Sequence, residues 1–221
     1  LVFIFDLSCD ILSYNNIINS LPDNIPIYTI SSNFIPPHHT LKEYTTTLID
    51  ELNKKCFDLV IDIVGYSSGG IIAMEMAKQL KDRVGHLYII DTPNYTKFPL
   101  RNKKLLLLLW KNIFNIVALY GIKKSISYSL GKFKSILKKE SIIVEQNKLI
   151  KMIEQHYCSI PNTTTSLFVS SKMKKLTNNT LGWEGLNKVY YFEGNHVTIM
   201  KKPNAIKISN IIERQRNDEI K

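Results

Sequence analysis

Gly65-Tyr66-Ser67-Ser68-Gly69 is a Gly-x-Ser-x-Gly motif, and its neighbours suit it to chemistry. The apolar run FDLVIDIVG (57–65) precedes it and a helical stretch, 69–81, follows. A serine on such a strand-to-helix elbow stands above the carboxyl edge of a sheet, where its hydroxyl can act as a nucleophile. Gly65 and Gly69 keep the turn small. The helix behind it points its positive end at the site, which favours negative charge developing there. The competing reading is a small-residue turn that lets a helix pack on a sheet. A nucleophilic Ser67 requires a general base, an acid to orient that base, and two donors for an oxyanion.

Few residues can fill those roles. There are five histidines. His38 and His39 lie in the loop IPPHHT, His86 opens a predicted strand, and His156 falls in the stretch 97–160, read below as a lid. His196, in FEGNHVTIM, follows the last predicted strand and hangs at the carboxyl side, within reach of the elbow. Only two aspartates, Asp82 and Asp91, stand between Ser67 and His196. Asp82 belongs to the polar turn KDRVG, away from the carboxyl edge. Asp91 ends HLYIID (86–91), the strand after the elbow, and so lies beside the nucleophile. Glu184 is the weaker alternative. The order Ser67, Asp91, His196 is that of α/β-hydrolases. One oxyanion donor is expected at the Ser68 amide. The other is expected at Leu7 or Ser8, in DLSCD (6–10).

The elements around these residues alternate. Strands are predicted at 1–5, 25–30, 57–65 and 86–91, with helices at 11–20, 40–55 and 69–81. In the second of these helices Leu41, Tyr44, Leu48 and Leu52 follow helical spacing. Strand-like segments return at 166–171 and 188–194, and a last helix is predicted at 204–214. This alternation predicts an α/β fold, a mostly parallel sheet flanked by helices. Residues 97–160 show helical runs without a clear strand and interrupt the alternation. They are read as a helical lid insertion within a single domain, 1–221.

Bulk properties narrow the partners. Hydrophobic residues make up 44% and charged residues 22%, a globular balance that argues against disorder. Cys9, Cys56 and Cys158 show neither metal spacing nor a disulfide framework, and are expected to be reduced thiols of a cytoplasmic protein. The opening LVFIFD is no signal peptide. With no initiator Met, the chain is expected to be a domain of a longer polypeptide, or one with a trimmed start. The net charge of +10 is uneven: eleven Lys or Arg and no Asp or Glu lie between Thr92 and Lys139, leaving the remainder near neutral. No aromatic–basic interleaving marks this stretch as a nucleic-acid binder. The run LLLLLWKNIFNIVALYGI (105–122) contains Lys111, Asn112 and Asn115. A central lysine costs ~2.5–3.5 kcal/mol on insertion, so a lid helix is favoured over a membrane span.

Three blocks together carry a family resemblance. GYSSGGIIAMEMAKQL, LYIIDTPN and LGWEGLNKVYYFEGNHVTIMKKPNAIKISNII resemble the elbow, the strand-then-aspartate segment and the tryptophan–strand–histidine block of one family. These are the thioesterase domains of nonribosomal peptide, polyketide and fatty acid synthases. The resemblance covers nearly the whole chain. It implies Ser67, Asp91 and His196 as catalytic triad and 97–160 as the lid over an acyl pocket. It also implies a substrate carried on the phosphopantetheine arm of an acyl or peptidyl carrier domain, expected in the same polypeptide. No metal or other cofactor is implied, and a monomer is expected. The lysine-rich insert (Lys103, Lys104, Lys123, Lys124, Lys138, Lys139) is read either as a carrier-docking surface or as a solvated face. One departure is visible: the family often has a His-Pro-x-Gly-Gly type loop after the first strand, where this chain has FDLSCD. Competing readings are an esterase or lipase acting on oxoesters, and a non-catalytic carrier-binding module with a decayed oxyanion hole.

Overall fold

The computed structural model describes residues 1–4, 12–30, 40–56, 59–98 and 148–219. Six strands form one sheet: β1 (Val2–Ile4), β2 (Tyr28–Ile30), β3 (Ile61–Tyr66), β4 (Val84–Ile90), β5 (Thr164–Ser170) and β6 (Lys188–Phe192). Their spatial order is β2-β1-β3-β4-β5-β6, and every pairing is parallel. All strands therefore end on one edge, and the residues that follow β3, β4 and β6 meet there.

Alternation along the strands divides the core between the two faces. Val2, Ile4, Ile61, Ile63, Leu87, Ile89, Leu167 and Val169 join one apolar cluster. Helices α2 (Leu41–Cys56) and α3 (Gly69–Leu80) cover it, together with α4, a helix at 148–155. Phe3, Val64, Tyr66, Tyr88, Ile90, Phe168 and Phe192 face the other way, toward α1 (Asn15–Ile18) and α6 (Asn204–Glu219). α2 buries Leu41, Tyr44, Leu48 and Leu52, as their spacing predicts. It opens with a capping box, in which the Glu43 amide donates to Thr40 Oγ1 and the Thr40 amide to Glu43 Oε2. α3 is buried almost all round because it packs between the sheet and α2.

Several boundaries differ from expectation. The run 57–65 was expected to be buried strand, but Leu59 and Val60 are exposed and β3 begins only at Ile61. Gly65 lies inside β3 and Tyr66 ends it. After β5 comes a short helix, α5 (Ser171–Leu176), where the sequence suggested only a strand to residue 171. Ser170 ends that strand and caps this helix, its side chain accepting from the Met173 amide. Of the expected insertion, residues 97–98 and 148–160 are described. α4 buries Leu149 and Ile153 in the sheet-face core, so that end of the insertion is built into the body. The rest of it, with the apolar run 105–122, lies outside the described residues.

Candidate active site

The chain leaves β3 at Tyr66 and turns at Ser67, whose φ of 56° is left-handed. A non-glycine residue there costs on the order of 1–3 kcal/mol, so its surroundings must enforce it. The Ser67 amide donates to the Ile90 carbonyl at 2.9 Å, tying the elbow to β4. Gly65 permits the close approach of α3: a Cβ there would lie 2.6 Å from both the Gly69 oxygen and the Gly70 Cα. Gly70 is equally constrained, since its Cβ would fall 2.1 Å from Thr92 Oγ1. The first turn of α3 thus sits directly on the segment that carries Asp91.

Ser67 Oγ is 2.9 Å from His196 Nε2, and His196 Nδ1 is 3.3 Å from Asp91 Oδ2. These residues are 8%, 5% and 0% exposed, so the contacts work away from bulk water. A proton held on Nδ1 by the carboxylate leaves Nε2 to accept from the Ser67 hydroxyl. The sheet thereby brings together three residues 24 to 129 positions apart in the chain, those singled out from the sequence.

Asp91 itself takes a φ of 45°, with its amide donating to the Phe168 carbonyl at 2.8 Å. A buried carboxylate needs hydrogen bonds to remain charged. Ser170, at the end of β5, supplies two: its amide donates to Oδ1 and its hydroxyl to Oδ2, both at 2.6 Å. Sequence reasoning passed over Ser170. The available signal was a serine ending the apolar segment SLFVSS, a possible neighbour of the acid. Trp183, from the LGW block, donates its Nε1–H to the Thr92 carbonyl at 2.7 Å and so fixes the chain just after Asp91.

The other candidates lie elsewhere. Asp82 is in the turn before β4, at the opposite edge of the sheet. Glu184 is exposed and bonded to Lys97, whose hydrogen bond and charge hold its carboxyl below the usual range. His86 is inside β4 rather than at its start. His156 faces Glu75, in the middle of α3. The Ser68 backbone is fully buried at the start of α3. Leu7, Ser8, His38 and His39 lie outside the described residues. Among the described residues, no group of three His, Cys, Asp or Glu side chains is arranged to hold a metal ion. None of their helices is long and apolar enough to cross a membrane.

The family model described as thioesterase domain matches residues 10–215. The chain belongs to this family. It is an enzyme domain acting on thioester bonds, built on the α/β-hydrolase fold. Its structure is similar to the NocB thioesterase domain solved as a covalent complex with a fluorophosphonate nocardicin G analog. That likeness has a TM-score of 0.71 at 17% identity, over 96% of this chain and 92% of that one. The Vlm2 thioesterase domain bound with a dodecadepsipeptide is similar at a TM-score of 0.65 and 15% identity, covering 96% and 95%. A four-domain nonribosomal peptide synthetase, bound to AMP and glycine, matches at a TM-score of 0.71 and 17% identity. That match covers 97% of this chain and 19% of that one. No curated protein sequence matches the chain.

Proposed function

We propose that this thioesterase domain is a serine hydrolase that releases an acyl, peptidyl or polyketide chain from the phosphopantetheine thioester of a carrier domain. The observation that carries the reading is the alignment of Ser67 Oγ, the His196 ring and the Asp91 carboxylate across the carboxyl edge of the sheet. Ser67 Oγ attacks the thioester carbonyl while His196 Nε2 takes its proton, and Asp91 faces the imidazolium that forms. The oxyanion is received by the Ser68 amide at the start of α3 and by an amide of Leu7 or Ser8. The carbon–sulfur bond breaks and His196 returns the proton to the leaving thiol. The resulting acyl-Ser67 ester is opened by water, giving an acid, or by an amine or hydroxyl of the chain itself, giving a ring. The proposed steps call on side chains, backbone amides and either water or a group of the released chain, and on no metal or redox cofactor.

Likeness to thioesterase domains of synthases, including one inside a four-domain chain, supports a carrier domain in the same polypeptide as partner. The test is turnover of a medium-chain acyl-pantetheine thioester beside its matched oxoester, in wild type and Ser67→Ala. Faster thioester turnover that disappears in Ser67→Ala is expected. Preference for the oxoester, or undiminished turnover in folded Ser67→Ala, overturns the reading.

A further inference from the structure

Tyr66 precedes the nucleophile, is buried, and takes no part in the steps above. Its ring stacks on the His196 imidazole, with centroids 4.7 Å apart and planes at 25°. Its hydroxyl donates to the His196 carbonyl at 2.5 Å. One side chain therefore grips both the ring and the backbone of a residue 130 positions away in the chain.

Tyr66 is itself held from behind. β1 and β3 pair as far as Ile4 opposite Gly65. Beyond that pair the Tyr14 hydroxyl bridges the two strands: it accepts from the Tyr66 amide at 2.6 Å and donates to the Ile4 carbonyl at 2.7 Å. Tyr14 is fully buried, with edge-on contacts to Phe3 and Tyr66. The line Ile4–Tyr14–Tyr66–His196 joins the ends of β1 and β3 to the loop after β6.

The His196 loop is tied to α5, where Gly194 bonds Ser171 and Lys172, and to α6 through Asn204, but none of these bonds reaches the elbow. Its internal bonds are local: Asn195 Oδ1 accepts from the Val197 and Thr198 amides, and the Asn195 amide donates to Thr198 Oγ1. These shape the loop without relating it to the elbow. The Asp91 contact, at 3.3 Å, is too long to fix the ring alone. We infer that Tyr66 is a positioning residue, which sets the height and tilt of the His196 ring over Ser67 and is itself set by Tyr14. This rests on the reading of Ser67 and His196 as nucleophile and base.

The test is a graded series on the full chain. Tyr66→Phe keeps the stack and removes the hydroxyl; Tyr66→Leu removes both. Thioester turnover, the rate of Ser67 labelling by a fluorophosphonate probe, and thermal unfolding are measured for each. Leu149→Ala, a buried core residue, serves as a destabilised control, and Ser67→Ala as the dead reference. Tyr66→Phe is expected to lower kcat and the labelling rate together by about fivefold to tenfold, the worth of one hydrogen bond, with KM within about twofold. Tyr66→Leu is expected to lower both further. A merely structural tyrosine would behave as Leu149→Ala, with a lower Tm and unchanged kcat and labelling well below it. That result, with Ser67→Ala inactive, overturns the role of Tyr66 and leaves the serine reading intact. An active Ser67→Ala overturns the serine reading itself.

Discussion

His196 with Asp91 and His156 with Glu75 are the same chemical pair in two places. The first pair is 3.3 Å apart at the carboxyl edge of the sheet, and the second is 3.0 Å apart at the middle of α3. Both carboxylates are buried. Each pair even has a nucleophile-type atom in its neighbourhood, Ser67 in one case and Cys158 in the other. The difference lies in what surrounds that atom. Ser67 sits on a left-handed turn at the start of α3, its oxygen 2.9 Å from His196. Cys158 lies against Met74 Sδ at 3.5 Å. Burial pushes its thiol up to about 12, against a smaller opposing pull from Lys78 and with a further push from Glu75. A thiol that stays protonated is a poor nucleophile. A histidine–carboxylate pair is thus not distinctive by itself; what sets one pair apart is a serine at the end of a strand, within hydrogen-bond reach of the imidazole.

The comparison breaks if the two histidines prove interchangeable. His196→Ala is expected to lower kcat/KM by about 10⁴-fold to 10⁶-fold, the scale on which members of such a relay fail. His156→Ala is expected to stay within about threefold of wild type in the same assay. Similar losses in both would erase the distinction between catalytic and structural pairs.

The carboxylates sharpen it. Asp91→Asn is expected to cut kcat by about 10³-fold to 10⁴-fold through the wrong histidine tautomer. Glu75→Gln is expected to leave kcat nearly unchanged and to cost about 1–3 kcal/mol in urea unfolding. That cost should depend on pH. Burial alone would raise the Glu75 carboxyl, but the hydrogen bonds from His156 and Gln79 and the charges of His156 and Lys78 outweigh it, holding it below the ordinary value of 4.5. A depressed carboxyl stabilises the fold above its unfolded pKa and stops doing so as pH falls through the folded one. The stability gap between wild type and Glu75→Gln should therefore be full at neutral pH and close on acidification below about pH 4.5. A gap that widens on acidification would contradict the assigned partners.

The smallest effect is a silence. In a Cys9→Ser, Cys56→Ser background, a thiol reagent at pH 8 is expected to leave Cys158 unmodified until the protein unfolds. Native labelling, read by mass spectrometry, would show a thiolate where the surroundings disfavour one.

Much of the site was legible in the sequence because its requirements are local or ordinal. The glycines around Ser67, the strand ahead of it and the helix behind it mark the elbow. The scarcity of aspartates between Ser67 and His196 left Asp91 in the right place. Other features depend on partners far away in sequence. Ser170 grips Asp91 across 79 residues, and Tyr66 grips His196 across 130. Neither a serine at a strand end nor a tyrosine inside the motif announces such a bond. Leu59 and Val60 look like strand, yet lie outside the sheet because β4 pairs with β3 only from Val84 opposite Ile61, and β1 only from Val2 opposite Ile63. α5 was missed because six residues span less than two helical turns, too short for a periodic signal.

The sequence by itself determined the alternation of strands and helices, the elbow, and the order of Ser67, Asp91 and His196 along it. Each follows from residue size, spacing and hydrophobic period within a few turns of chain. Only the tertiary structure decided which histidine–carboxylate pair meets the elbow serine, and which side chains hold it there. Parallel pairing brings the ends of β3, β4 and β6 to one edge, and a contact of 2.9 Å across 129 residues is a property of that pairing, not of any segment within it.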